Sequence, residues 1–187
     1  MIYTEITPNP ASLKFITGEV LVPQGSVDFP DVNAAEDSPL GLKLFNFRFV
    51  ERVFFGKNFV TITKGDDFQW EEVIPVVKDF LKAYLGSDQP VFTGQLAQSL
   101  ASVEVEETED DPTVAKIKEL IESHVRPAVA MDGGDIIYQD FDHDSGTVKL
   151  MLQGSCSGCP SASLTLKNGI EGLLTRMVPE VNVVEAV

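Results

Sequence analysis

Residues 1–110 of this 187-residue chain contain no cysteine and no histidine. These side chains supply the soft ligands of transition metals, and histidine is the most frequent general base. The first half of the chain is therefore expected to hold neither a transition metal nor a histidine-based catalytic pair. The chain has two cysteines, Cys156 and Cys159, and two histidines, His124 and His143. Any metal chemistry is expected in the second half.

Positive charge is also scarce. Lysine and arginine number 14 against 29 aspartates and glutamates, which gives a net charge of −15. A uniformly acidic protein repels phosphate backbones, so a nucleic-acid partner is not expected. No apolar run approaches the ~20 residues that a membrane-spanning helix needs, so no membrane association is expected.

Targeting signals are absent from the sequence as given. Two cysteines separated by only two residues are too close to cross-link distant parts of a small secreted domain by a disulfide bond. An intracellular protein is therefore expected. The first residues show neither a signal peptide nor an Arg-rich and Ser-rich transit segment. The simplest expectation is the cytoplasm of a bacterium, and the alternative is a processed organellar protein that has lost its leader.

The distribution of apolar residues predicts two small α+β domains joined by an acidic flexible linker. The first domain, residues 1–89, is expected to contain a helix from Pro39, a second helix and four strands. The second domain, residues 112–187, is expected to have the order α-β-β-α-β, with its first helix ending near Pro127. Residues 90–111 form the linker, because the acidic run at 104–111 repels itself and stays extended. The predicted strands are 2–6, 13–17, 50–55, 59–63, 136–141, 147–152 and 181–185, and the predicted long helices are 70–85 and 161–177.

Several polar and aromatic features favour structural roles. The turn Asp132-Gly133-Gly134-Asp135 offers paired carboxylates, but its two glycines indicate a tight turn into a strand. His124 near a helix end and His143 at a hairpin tip are expected to be surface residues and not ligands. The phenylalanines of residues 45–59 are expected to form a small core. Because the first domain contains neither cysteine nor histidine as a soft metal ligand, we expect it to be a recognition or regulatory module.

The cysteines lie in a Gly- and Ser-rich turn, residues 154–160, between a predicted strand and a predicted helix. One short turn can direct both sulfur atoms at one metal centre. The unpaired N–H groups and partial positive charge of a helix N-terminus favour thiolate over thiol. Gly154 and Gly158 allow close approach of the backbone, and Pro160 suits a first helical position. We expect the N–H groups of Ser157 and Gly158 to hydrogen-bond to sulfur, together with the hydroxyls of Ser155 and Ser161.

Four interpretations of this pair remain open from the residues alone. The cysteines could fill a core without chemistry, or form a thiol–disulfide redox motif, although no tryptophan precedes Cys156. They could be half of a zinc site, but neither histidine has ligand spacing. They could hold an iron–sulfur cluster, which usually needs four thiolates. Two cysteines per chain would then require two chains, with the cluster bridging a homodimer.

The chain resembles the Nfu proteins in two sets of motifs. In the second half, the similarity to the C-terminal domain of NifU lies in residues 121–127 (IESHVRP), 132–138 (DGGDIIY), 152–161 (LQGSCSGCPS), 166–171 (LKNGIE) and 178–181 (VPEV). In the first half, the similarity to the other Nfu domain lies in residues 7–15 (TPNPASLKF), 28–30 (DFP), 38–40 (SPL) and 53–56 (VFFG). The two sets occur in the expected order and cover nearly the whole chain.

This resemblance implies an iron–sulfur cluster scaffold or carrier and not an enzyme. Cys156 and Cys159 would bind a [4Fe-4S] cluster shared by two chains, and no catalytic residue is implied. The partners would be apo iron–sulfur proteins as acceptors and an upstream assembly machinery as the source. The rival function is a thiol–disulfide oxidoreductase that uses Cys156 and Cys159 in turn.

Overall fold

A computed structural model describes residues 1–101, 111–157 and 160–187, and the side chains of 160–163 lie outside that description. The chain divides into two compact units, Met1–Glu104 and Val105–Val187. Most of the predicted acidic run, residues 104–110, lies outside the described residues. In the part of the chain that is described, no helix combines the length and the apolar character needed to cross a membrane.

The first unit is built on an antiparallel five-stranded sheet in the order β1-β2-β5-β4-β3. Its strands are β1 (Tyr3–Ile6), β2 (Ser12–Ile16), β3 (Val27–Phe29), β4 (Val50–Phe55) and β5 (Phe59–Lys64). Its helices are α1 (Pro39–Phe45), α2 (Trp70–Leu85), α3 (Gly94–Ala101) and a short 3-10 turn, Asn33–Ala35.

Four of these five strands match the sequence prediction, and β3 does not. The sequence predicts mostly loop for residues 18–37, with no strand assigned there, whereas Val27 and Phe29 pair with Phe55 and Val53 of β4 and are buried. A three-residue strand is too short to display an alternation that distinguishes it from loop. The pairing with β4 therefore determines this strand more than its own sequence does.

The aromatic residues of the first unit form a core, as predicted. Phe54, Phe55 and Phe59 are buried, and the rings of Phe47 and Phe49 stack at a centroid distance of 5.2 Å. Phe47 also meets Phe80 of α2 edge to face. Such ring pairs stabilise the folded state beyond the burial of their apolar surface, because the electron-rich face of one ring attracts the electron-poor edge of another.

The first unit extends further along the chain than the predicted boundary at residue 89. The sequence predicts a linker from residue 90, but α3 and the segment before it pack on the first unit, with Val91, Phe92, Leu96 and Leu100 against its core. Ser38 caps α1 by accepting from the Gly41 N–H and donates to the Val91 carbonyl at 2.8 Å. Asp37 accepts from the Leu96 N–H. Apolar contacts and these bonds outweigh the turn-like composition of residues 86–94.

The second unit has the predicted α-β-β-α-β order. Its strands are β6 (Gly134–Asp142), β7 (Thr147–Gly154) and β8 (Val183–Ala186), and β7 pairs antiparallel with β6 and parallel with β8. Its helical segments are α4 (Pro112–Leu120), a π-helical turn (Ile121–Val125), α5 (Arg126–Met131) and α6 (Pro160–Met177). The core consists of apolar residues from all these segments.

The prediction that the first helix of this unit ends near Pro127 is wrong. The chain passes through the π-helical turn and continues as α5, with Pro127 in the first turn of that helix. A proline lacks an N–H and clashes with the carbonyl group four residues earlier in a regular α-helix. The wider π-helical turn changes that spacing, and a first helical turn does not require the missing N–H.

Candidate cluster-binding site

The cysteine turn follows β7 directly. Strand β7 ends at Gly154, whose φ of 69° lies in the left-handed region that glycine adopts readily. Ser155, Cys156 and Ser157 follow, and α6 begins at Pro160. The predicted placement between a strand and a helix is therefore confirmed for Cys156. Gly158 and Cys159 lie outside the described residues, and the ligand role of both cysteines stays a prediction.

Ser155 attaches the turn to the segment before β6. Its side chain is buried, and its hydroxyl donates to the Asp132 carbonyl. Its backbone N–H donates to the Gly133 carbonyl at 3.3 Å. The Ser155 Oγ also lies 3.9 Å from the Cys156 sulfur, whereas the Ser157 N–H donates to the Gly154 carbonyl at 3.1 Å. The hydroxyl expected near the sulfur is thus present, and the Ser157 N–H closes the turn instead.

The Cys156 sulfur lies against the backbone of Gly134. Cys156 is 5% exposed and belongs to the apolar core of the second unit. A methyl group on Gly134 would lie 2.9 Å from the Cys156 Sγ and 2.5 Å from the Gln153 carbonyl oxygen. Both distances are shorter than van der Waals contact, so only glycine leaves room for the sulfur at this point. The sequence shows the turn at Gly133-Gly134 but not the thiol that Gly134 accommodates.

Asp135, the next residue, is held by an arginine. It is buried, and its two carboxylate oxygens accept from Arg126 Nε at 2.8 Å and Nη2 at 2.7 Å. Arg126 also donates through Nη1 to Glu122 at 2.7 Å. These bonds, chiefly those to Asp135, raise the pKa of Arg126 above its ordinary value. Asp135 thus has a structural partner, in agreement with the expected turn architecture.

Sequence reasoning missed the pair Arg126–Asp135. The two residues are nine positions apart and belong to different elements, so no helical or strand periodicity relates them. The available signal was a carboxylate at the start of a buried strand, which needs a cation or several donors. The sequence does not indicate which of the six basic residues of the second half fills that role.

The histidines have the surface positions that the sequence predicts. His124 is exposed, with its Nδ1 2.7 Å from the Ser123 hydroxyl. His143 packs edge-on against Phe141, and its Nε2 lies 3.5 Å from an oxygen of Asp111. Among the described residues, which omit Cys159, no three His, Cys, Asp or Glu side chains group closely enough to hold a metal ion.

Two family models match the chain, one for each unit. The family described as "Scaffold protein Nfu/NifU N terminal" matches residues 2–88. The family described as "NifU-like domain" matches residues 117–185, which include the cysteine turn. The chain thus combines two kinds of unit. The first has neither cysteine nor histidine, and the second is NifU-like and has a CxxC motif.

Similar proteins cover the full chain. The "NifU-like protein 4, mitochondrial" of Arabidopsis thaliana is 48% identical over 184 residues, which are 98% of this chain and 65% of that protein. The human "NFU1 iron-sulfur cluster scaffold homolog, mitochondrial" is 43% identical over 187 residues, which are 100% of this chain and 71% of that protein. This chain therefore belongs to the Nfu family of NifU-like proteins. It spans 65% of the length of the Arabidopsis relative, less than two thirds.

A solved structure also resembles part of the chain. The solution structure of a NifU-like protein from Saccharomyces cerevisiae is 30% identical and covers 49% of this chain and 83% of its own. Its TM-score against this chain is 0.44.

Proposed function

We propose that this protein carries a [4Fe-4S] cluster as cargo between two chains and delivers it to apo-proteins. Each chain contributes the thiolates of Cys156 and Cys159. The proposal is supported by the position of the Cys156 sulfur, which lies beside Gly134 in a turn that leads into α6. The names of the relatives, which include an iron–sulfur cluster scaffold, support the same class of function.

The donor set fits such a cargo. Thiolates are the soft ligands that iron–sulfur clusters take, and a cluster usually needs four of them. The chain has two cysteines, so a second copy has to supply the other two. The cluster then lies at an interface between two chains, where it is easier to release than a cluster enclosed by one chain.

The chain's own groups would act in three steps. Cys156 and Cys159 lose their protons, because only thiolates bind metal. The turn then holds the cluster between two copies, and Ser155 fixes this turn through its bonds to Asp132 and Gly133. Finally, cysteines of an acceptor displace Cys156 and Cys159 by ligand exchange. Only the bonds between iron and cysteine sulfur are exchanged in these steps, and the cluster itself is delivered intact, so the proposed role is carriage and not catalysis.

The first unit is proposed to recognise partners. Its residues 1–101 supply neither cysteine nor histidine, so it contributes no soft ligand of its own. The partners are apo iron–sulfur proteins downstream and a cluster assembly machinery upstream. A chimera with a different first unit should change the preference among acceptors and retain cluster binding. Unchanged transfer rates to every acceptor would contradict this role.

We propose an organellar location for this protein from the names of its relatives. The Arabidopsis and human relatives are named as mitochondrial proteins. This favours the organellar alternative, and the expected bacterial cytoplasm receives no support from the comparisons.

The test is anaerobic reconstitution with iron and sulfide, followed by metal and sulfide analysis of size-exclusion fractions beside the apo-protein. The proposal predicts about four irons and four sulfides per dimer, with a shift to dimer on loading. A monomer that binds no cluster and reduces disulfides would indicate the thiol–disulfide oxidoreductase. A dimer that binds only zinc, and transfers nothing, would indicate a structural zinc site.

A further inference from the structure

We propose that Arg126 and Asp135 are positioning residues for the Cys156 thiol. The inference rests on the proposed function, because it assigns the pair to one of the ligands of the cargo. The pair does not contact the cargo. It fixes the first residues of β6, and the backbone of Gly134 in that strand forms the surface against which the Cys156 sulfur rests.

Asp135 is fixed by bonds to both of its carboxylate oxygens. Besides the two bonds from Arg126, its Oδ1 accepts from the Ile136 N–H at 2.8 Å. The side chain is 7% exposed, so donors of the protein, these three bonds among them, replace most of the water that would surround an exposed carboxylate. A bidentate guanidinium–carboxylate pair restricts both side chains in distance and orientation.

The start of β6 transmits this restraint to the cysteine turn. Asp135 pairs with Gln153 in the β6–β7 ladder, and Gly134 pairs with Gly154. Gly134 is the residue whose Cα lies beside the Cys156 sulfur, and Gly133 accepts the hydrogen bond of Ser155. A displacement of Asp135 would therefore move the two residues that fix the position of Cys156.

Arg126 is itself held by its place in the helix. It follows the π-helical turn as the first residue of α5, and Glu122 in that turn binds its Nη1. Irregular π-helical turns are often found at functional sites, where they redirect a side chain. Here the turn places one arginine between an exposed glutamate, 68% exposed, and a buried aspartate.

The chain offers a matched control pair in the first unit. Arg52 donates to both carboxylate oxygens of Asp28, whose side chain is also 7% exposed. The two arginine side chains are 24% and 27% exposed, so the two pairs have nearly the same burial. Asp28→Asn and Asp135→Asn therefore remove the same kind of interaction, and only Asp135 adjoins the Gly134 contact to Cys156.

The first experiment measures the accessibility of the thiol in apo-protein. In a Cys159→Ala background, Cys156 is the only thiol, and its modification by iodoacetamide at fixed pH is followed by mass spectrometry. Asp135→Asn is expected to accelerate modification by about tenfold, which corresponds to the loss of one hydrogen-bonded charge partner. Asp28→Asn is expected to leave the rate within about twofold, because distant sites act independently.

The outcomes decide whether the effect on the thiol is specific to the Arg126–Asp135 pair or follows the loss of any buried arginine–aspartate pair of this chain. Equal acceleration by Asp28→Asn and Asp135→Asn, or no acceleration by Asp135→Asn, would overturn the inference. If Asp135→Asn does not fold, Arg126→Lys replaces it. This variant keeps the charge but not the bidentate geometry, and it is expected to accelerate modification as well. An unchanged rate in Arg126→Lys would overturn the inference equally.

A second measurement separates this inference from the proposed function. With both cysteines present, parent, Asp28→Asn and Asp135→Asn are reconstituted with iron and sulfide, and iron per chain is determined. Loss of iron in Asp135→Asn alone supports the positioning role. If the parent protein takes up no cluster, the proposed function fails, and the thiol modification rates still decide whether the pair positions Cys156.

Discussion

The two units of this protein share two kinds of structural contact, an arginine–aspartate pair and a glycine packed against a side chain. Each has a buried bidentate arginine–aspartate pair, Arg52–Asp28 in the first unit and Arg126–Asp135 in the second. Each also has a glycine in close contact with a side chain. In the first unit, a methyl group on Gly56 would lie 2.3 Å from the ring of Phe59. In the second unit, the same position on Gly134 faces a thiol.

This difference separates structural packing in the first unit from the candidate site in the second. In the first unit the glycine makes room for the buried aromatic ring of Phe59, in a unit whose described residues include neither cysteine nor histidine. In the second unit it makes room for the sulfur of Cys156, in the turn between β7 and α6. The fold supplies the same contact in both cases, and the identity of the accommodated side chain determines whether chemistry is available.

The largest expected effect is that of removing the sulfur. Cys156→Ala should reduce the iron content from about two atoms per chain to near zero, because a cluster loses two of its four thiolates per dimer. Circular dichroism should show a retained fold, since the loss of one small core side chain costs only ~1 kcal/mol. Iron and sulfide analysis after reconstitution measures the outcome. A full cluster on this variant would refute the ligand assignment.

Filling the glycine contacts should produce the next largest effect. Gly134→Ala and Gly56→Ala each introduce an overlap, and overpacking costs ~1–3 kcal/mol of the free energy of unfolding. Only Gly134→Ala should also lower the iron content after reconstitution. Hydrogen exchange locates the loss of stability in the second unit for Gly134→Ala and in the first for Gly56→Ala.

The glycine comparison has a control in α6. A Cβ on Gly172 would meet nothing within 4 Å, so Gly172→Ala adds helix propensity without an overlap. It should leave the iron content at the parent level. Equal iron contents in Gly134→Ala and Gly172→Ala would show that the Gly134 contact does not affect the site.

A smaller effect is expected at Ser38. Ser38→Ala removes the cap of α1 and the bond to the Val91 carbonyl, at a cost of ~1–2 kcal/mol. Trp70, the only tryptophan, lies in the first unit, so its fluorescence reports the unfolding of that unit in denaturant. Iron binding should not change. Ser99→Ala, at an exposed serine of α3, serves as the control, and an equal loss in both variants would contradict the proposed importance of the cap.

The smallest effect concerns the far end of the β6–β7 hairpin. The Ser145 hydroxyl, followed by the Asp144 N–H, lowers the pKa of Asp142 below its ordinary value. A carboxylate whose pKa is lower in the folded than in the unfolded chain stabilises the folded state at pH values above its unfolded-state pKa. This stabilisation is lost as the pH falls through the folded-state pKa. Ser145→Ala should raise the pKa of Asp142 in an NMR titration. An unchanged titration curve would exclude Ser145 as the cause.

Much of the fold could be predicted from the sequence, because its longer elements have strong local patterns. The hairpin β4–β5 has two runs rich in Val and Phe around a turn that contains Gly56, α1 has its Ser38 cap and Pro39, and α2 and α6 have helical spacing. Strand β3 and the docking of α3 could not be predicted, since both depend on partners distant in the chain. The continuation past Pro127 depends on an irregular turn that no local pattern announces.

The sequence supplied the candidate residues of the site and not their surroundings. The spacing of Cys156 and Cys159 between a predicted strand and a predicted helix makes them candidate ligands, and this ligand role stays a prediction. The contact between the Cys156 sulfur and Gly134 requires the pairing of β6 with β7, which brings together residues 22 positions apart. The same pairing places Asp135, which is bound by Arg126, next to Gly134, and this placement underlies the proposed positioning role.

Native mass spectrometry of the anaerobically reconstituted protein tests the central claim most directly. It measures in one spectrum how many chains, irons and sulfides form a single particle. The account predicts two chains with four irons and four sulfides, and dissociation to apo single chains when the cluster is removed. A single chain that holds a complete cluster, or two chains joined without iron and sulfide, would contradict it.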